Sequence, residues 1–167
     1  SKNTCRLSER GEAILNEPAT RNLLETLFGN SPYLSECIIH DPEFFCELIN
    51  NNPNKIFETL IHDLTKQCGS FSSDADLMRD LRVAKRKVSL TTAIADICNI
   101  WGLDQVTRHL SRFAELSLSL TLSHLLRVGA KQDVFKLRNE TEPENDCGLV
   151  IIGMGKLGGF ELNYSSD

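Results

Sequence analysis

Apolar residues recur every three to four positions from about residue 18 to about residue 130, and Pro, Gly and Asn interrupt them at spacings suited to a helical bundle. Six helices are expected. The first spans Ala19 to Phe28 and stops at Gly29-Asn30; the second runs from Ser31-Pro32 to about His40. Asp41-Pro42-Glu43 places a capping carboxylate before a proline at the first helical position, opening a third helix through Phe44, Phe45, Leu48 and Ile49. Asn50 to Pro53 ends it. The fourth carries Ile56, Leu60, Ile61 and Leu64 and ends at Cys68-Gly69.

The strongest periodicity follows. Leu77, Leu81, Ala84, Val88, Ile94, Ile97, Cys98 and Trp101 trace one stripe on a long fifth helix that Gly102 closes. Asp104 is placed to cap a sixth helix, whose buried positions are expected at Val106, Leu110, Phe113, Leu118, Leu122 and Leu125. A Gly102-Leu103 connection between two such helices makes them an antiparallel hairpin.

After Gly129 the pattern changes. Residues 131–147 are polar and charged, as in a linker, and Gly148 to Gly153 is a continuous apolar run rich in β-branched residues, the pattern of a strand covered on both faces. That strand needs partners, either a hairpin near residues 134–138 or, the favoured expectation, a sheet outside this sequence. The absence of an initiator methionine fits a piece of a longer chain. The expected class is therefore mainly α: a helical domain over residues 1–130, a polar linker over 131–147, and over 148–167 the first strand and loop of a truncated α+β domain.

Composition narrows the function classes. The chain has 167 residues, 41% of them hydrophobic and 25% charged, enough to build a buried core. Its 18 Lys plus Arg against 23 Asp plus Glu leave a net charge of -5, so no overall positive field draws in nucleic acid or anionic lipid. No membrane span or signal peptide is evident, and a cytoplasmic protein is expected. Cys5, Cys37, Cys46, Cys68, Cys98 and Cys147 form no C-x-x-C pair and read as reduced, buried hydrophobes; His40, His62, His109 and His124 read as surface or packing histidines rather than zinc ligands. Arg79, Arg82 and Arg86 share a helical face, either a basic patch or a solvated surface paired with Asp76 and Asp80.

The candidate chemistry lies in Gly153 to Asp167, GMGKLGGFELNYSSD. Gly153, Gly155, Gly158 and Gly159 allow tight turning and close approach to a phosphate, and Lys156 adds a point charge. A dinucleotide-binding G-x-G-x-x-G match is present at Gly153 to Gly158, but it requires an amphipathic helix immediately afterwards, and FELNYSSD offers at most one turn. The P-loop pattern fails because Leu157, not Ser or Thr, follows Lys156. A nucleotidyl-transfer pattern fits better: a strand, Gly155-Lys156, ten residues, then Asp167 as the opening carboxylate of a D-x-D. Nucleotidyl transfer needs divalent ions, and hard ions take carboxylate ligands, so Asp167 is the expected catalytic and metal-binding residue.

This segment resembles the bifunctional glutamine synthetase adenylyltransferase/adenylyl-removing enzymes. Met154, Lys156-Leu157-Gly158-Gly159, Glu161-Leu162 and Ser166-Asp167 fall where that family has them, and Leu81 to Lys87 and Ala95-Asp96-Ile97 to Leu110-Ser111 resemble its helical region. The resemblance implies a metal-ligating Asp167, with Gly155, Lys156, Gly158, Gly159 and Ser166 around the phosphates. It also implies Mg2+ as cofactor, ATP, ADP and phosphate as substrates or products, and glutamine synthetase and a PII-type signal protein as partners. A motif reached after about 150 mostly helical residues resembles the adenylyl-removing half, which phosphorolyses AMP from a tyrosine. The second carboxylate of D-x-D is not in the sequence, so this piece alone is expected to be inactive. A different class of function is an interaction module, its helices docking glutamine synthetase or the signal protein.

Overall fold

The structure is a computed structural model that describes residues 13–164; Cys5, Ser166 and Asp167 lie outside the described residues. The chain forms α1 (Pro18–Asn30), α2 (Pro32–His40), α3 (Pro42–Asn50), α4 (Pro53–Lys66), α5 (Asp74–Ile97), α6 (Leu103–Lys131) and a single turn, α7 (Gly155–Gly158).

The short helices begin where local chemistry makes a start inexpensive. Pro18, Pro32, Pro42 and Pro53 each open a helix, at positions where the missing amide hydrogen would have had no intrahelical acceptor. Side chains then satisfy the amides left over. Ser31 Oγ accepts from Leu34 N–H at 3.3 Å, Asp41 Oδ1 from Phe44 N–H at 3.0 Å, and Asn52 Oδ1 from Asn54 N–H at 2.8 Å. Ser73 caps α5 by accepting from Asp76 N–H at 3.2 Å and donating its hydroxyl to Asp76 Oδ2 at 2.9 Å.

Helix α5 is the spine. Leu90 and Ile94 join Leu27, Ile38, Phe44 and Phe45 in one apolar cluster. Val88 and Ala95 join Phe57, Trp101 and Val106 in a second, and Leu77 and Ala84 join Leu64 and Leu120 in a third. The pairing of Ala95 with Val106 at one end and Leu77 with Leu120 at the other shows that α5 and α6 run antiparallel. Residues 90–95 of α5 are buried on every side. Thr91 and Thr92 are tolerated there because their hydroxyls donate to the Lys87 and Val88 carbonyls, each at 2.8 Å.

Several expectations are corrected. Helix α5 ends at Ile97 rather than at Gly102: Asn99 takes a left-handed φ of 54°, and the Ile100 and Trp101 amides both turn back to the Ala95 carbonyl. Trp101 is buried, but Ile97 and Cys98 of the expected stripe are exposed. Gly102, not Asp104, occupies the N-cap of α6, without a side-chain cap; Asp104 lies in the first turn, where its charge suits the helix dipole. On α6, Leu118 and Leu125 are exposed, and Val106, His109, Ser111, Leu120, Ser123 and His124 are the buried positions. Of the cysteines expected to be buried, Cys37 and Cys46 are, whereas Cys68 and Cys147 are half-buried and Cys98 is exposed; all five described cysteines are free thiols.

The strand at residues 148–153 is not formed. Leu149 to Ile152 are exposed, and none of these four residues makes a backbone–backbone hydrogen bond among the described residues. The hairpin alternative near residues 134–138 is likewise absent, and no strand occurs in the described chain. The physical reason is that a strand requires ladder partners, and the described residues supply none. Residues 139–143 fold back on α6: Arg127 donates from Nη1 to the Glu140 carbonyl at 2.7 Å and from Nη2 to the Thr141 carbonyl at 2.9 Å, and Pro143 is fully buried.

No helix among the described residues is long and apolar enough to cross a membrane.

Candidate functional site

The glycine-rich segment closes on itself in one helical turn. Gly158 N–H reaches the Met154 carbonyl at 3.3 Å, Gly159 N–H the Gly155 carbonyl at 3.0 Å, and Glu161 N–H the Lys156 carbonyl at 2.7 Å. Two positions require glycine for different reasons. Gly155 sits at φ +57° with open space around it, so the demand there is conformational. Gly158 is steric: a Cβ would stand 2.5 Å from the Gly153 carbonyl oxygen and 3.0 Å from its carbon. Lys156 is exposed on this turn. Only four residues are helical before the chain extends again, so the long helix that a dinucleotide fold places here is missing.

Beyond the turn the chain is tied to the helical hairpin at two points. The Leu162 N–H donates to Ser111 Oγ on α6 at 3.3 Å, and the Tyr164 hydroxyl donates to Asp96 Oδ2 near the end of α5 at 3.2 Å. Burial and the neighbouring Asp96 carboxylate push the Tyr164 phenol well above its usual range, so it remains a donor. The structure therefore brings Gly155, Lys156, Gly158 and Gly159 onto one turn. It adds Asp96, Ser111 and Tyr164, which pattern reading did not single out as site residues. No local motif signals them, since each is ordinary in type and Ser111 and Asp96 lie 51 and 68 positions from the residues they bind.

Among the described residues, no group of three His, Cys, Asp or Glu side chains comes together to hold a metal ion. Asp167, the expected ligand, lies outside the described residues. A cavity of about 200 Å³ opens between Gly69, Phe71, His124, Arg127 and Lys131, and none of the sequence-predicted site residues lines it. Two histidines, His109 and His124, pack within the bundle and two lie at the surface, as expected of surface or packing residues. His109 stacks on Trp101 at 4.2 Å with its Nδ1–H on the Gln105 carbonyl at 2.6 Å, and His124 Nε2 meets Asp74 Oδ1 at 2.8 Å. His40 and His62 are exposed. Within the arginine face, Arg79 pairs with Asp76 and Asp80, each at 2.9 Å, which favours a solvated surface at that position.

Comparison with known proteins identifies the family. Residues 21–167 match the family model described as glutamate-ammonia ligase adenylyltransferase. Three similar relatives are each named bifunctional glutamine synthetase adenylyltransferase/adenylyl-removing enzyme. The protein from Bradyrhizobium diazoefficiens is 36% identical over 96% of this chain and 16% of its own length. The relatives from Agrobacterium fabrum and Rhizobium meliloti are 34% and 32% identical, each over 92% of this chain and 16% of its own length. The chain thus spans about a sixth of the length of these relatives. No solved structure matches. With a family match that runs unbroken from α1 through the glycine turn, the chain belongs to the glutamate-ammonia ligase adenylyltransferase family.

Proposed function

We propose that this chain is a segment of a cytoplasmic nucleotidyltransferase that removes AMP from, and in its other half adds AMP to, a tyrosine of glutamine synthetase. The observation that supports this most directly is the family match, which includes the turn bearing Gly155, Lys156, Gly158 and Gly159 and reaches Asp167. In the removal reaction an oxygen of inorganic phosphate attacks the phosphorus of the tyrosine-bound AMP. The bond from phosphorus to the tyrosine oxygen breaks, the tyrosine recovers a proton, and ADP leaves. The glycines let backbone approach the phosphates, and the Lys156 ammonium offsets their charge. Ser166 adds a hydroxyl beside Asp167. Mg2+, when bound, would supply Lewis-acid stabilisation of the phosphates, with Asp167 as one carboxylate ligand.

A two-metal site needs more than one carboxylate, so the 167-residue chain alone is inactive. The test is ADP release from adenylylated glutamine synthetase and phosphate. The full-length protein should release ADP, Lys156→Ala should reduce the rate, and the isolated chain should give none. ADP formed by the isolated chain would refute its inactivity; no ADP from the full-length protein would refute the function.

A second reading, in which the helices dock glutamine synthetase or a PII-type signal protein, is supported by Ile97, Ile100 and Leu103, which expose apolar side chains around the α5–α6 turn. Both roles are compatible. Leu103→Lys weakens partner binding at unchanged turnover under this reading, and unaltered binding counts against it.

A further inference from the structure

Asp96 occupies an unfavourable place for an acid. It is the penultimate residue of α5, in a last turn that carries no basic residue, where the helix dipole disfavours negative charge. Among the described residues no Lys, Arg or His forms an ion pair with it. Its carboxylate instead accepts the Tyr164 hydroxyl across 68 positions of sequence. Ser111 is similarly directed. It is fully buried, and its own hydroxyl hydrogen goes to the Thr107 carbonyl at 2.9 Å, leaving a lone pair for the Leu162 N–H. Both helices of the hairpin therefore hold the same stretch of chain, the one between the glycine turn and Asp167. Asp167 follows Tyr164 by three positions, a reach of ~10 Å at full extension.

We propose that Asp96, through Tyr164, and Ser111, through the Leu162 amide, are positioning residues that hold the loop leading to the candidate catalytic aspartate, which makes the helical hairpin part of the nucleotidyl-transfer machinery. The catalytic role rests on the function proposed above; the tie itself does not. A misplacement of about 1 Å in such a site costs on the order of a hundredfold in rate.

Two measurements test it. In the full-length enzyme, Tyr164→Phe and Asp96→Ala each lower kcat for phosphorolysis by roughly tenfold or more with KM for adenylylated glutamine synthetase unchanged. The double variant is no worse than either single one, and Asp96→Asn, whose amide oxygen still accepts the phenol, recovers most of the rate. In the 167-residue chain, hydrogen exchange of the amides at residues 160–163 speeds up in Tyr164→Phe and in Ser111→Ala, while exchange in α5 and α6 stays as in the wild type. Unchanged kcat, additive losses, or equal loss in Asp96→Asn overturns the positioning role. Unchanged exchange in both variants overturns the tie. Should the wild-type full-length protein release no ADP, the function fails and the catalytic role of the tie with it, while accelerated exchange still establishes the docking.

Discussion

Truncating Phe57 should cost more stability than any comparable change on the surface. Its ring is fully buried and meets Trp101 edge-on at 6.1 Å and 86°, and His109 at 4.1 Å and 79°. The Arg112 guanidinium lies 5.4 Å from its centroid while also forming a two-pronged bond to Glu58 at 2.6 and 3.1 Å. Phe57 thus joins α4 to the α5–α6 hairpin. Phe57→Ala removes the buried ring and leaves a cavity, a loss of about 4 kcal/mol. The edge-to-face contacts, worth roughly 0.5–1.5 kcal/mol each, are contained in that figure. With a urea m-value of about 2 kcal/mol/M the midpoint should fall by ~2 M, and with ~2–4 °C per kcal/mol the Tm should drop by about 10 °C. Phe57→Leu, which retains most of the apolar volume, should lose about 1.5 kcal/mol or less. Phe28→Ala, at a ring 46% exposed, should stay within about 0.5 kcal/mol of wild type. Unfolding is followed by the emission of Trp101, the chain's single tryptophan, with far-UV circular dichroism as a probe independent of the altered ring contact. A Phe57→Ala loss below about 1 kcal/mol, or one equal to that of Phe28→Ala, refutes the assignment of Phe57 as the joint between these helices.

Two further outcomes follow. Burial holds the His109 imidazole below its usual pKa, with the Arg112 charge acting the same way against the Gln105 carbonyl and Glu58. The unfolded chain, with an imidazole near ~6.5, therefore binds the proton more readily. The stability contributed is fully present above about pH 6.5 and is lost as pH falls through the lower folded value; Tm between pH 7 and pH 5 should decline less steeply in His109→Gln, and parallel curves would exclude this origin. At the glycine turn, Gly158→Ala drives a Cβ to 2.5 Å from backbone oxygen, whereas Gly155→Ala meets open space and pays only for its φ of +57°. Phosphorolysis by the full-length enzyme should fall further in Gly158→Ala than in Gly155→Ala, and equal rates would contradict the packing.

The first four helices were legible because their starts are set by adjacent atoms: a proline that needs no acceptor in each and, in α2, α3 and α4, a Ser, Asp or Asn oxygen within three residues of the amide it satisfies. The long helices were less so. Apolar residues at 116, 118, 120, 122, 125 and 126 surround α6 without defining one stripe, and its buried face is completed by Ser111, Ser123 and His124, whose polar atoms are satisfied or packed in ways that hydropathy ignores. Trp101 extended the apparent period of α5 because the turn after Ile97 folds it back into the same core. The glycine turn was readable as a local motif. The tie to Asp96 and Ser111 was not, since it joins residues brought together only by the hairpin.

The uncovered run at Leu149 to Ile152 has a practical consequence. It is uncharged and, apart from Leu149, β-branched, and among the described residues it makes no backbone–backbone hydrogen bond, which leaves it open to pairing with another molecule. Asp146 before it and Lys156 after it are the nearest charges available to discourage such pairing. Handling of the purified chain, its shelf life and the concentration at which it scatters light will thus be governed by these four residues rather than by the well-packed bundle. A charge placed at Val150, the most exposed of them at 81%, is the simplest remedy.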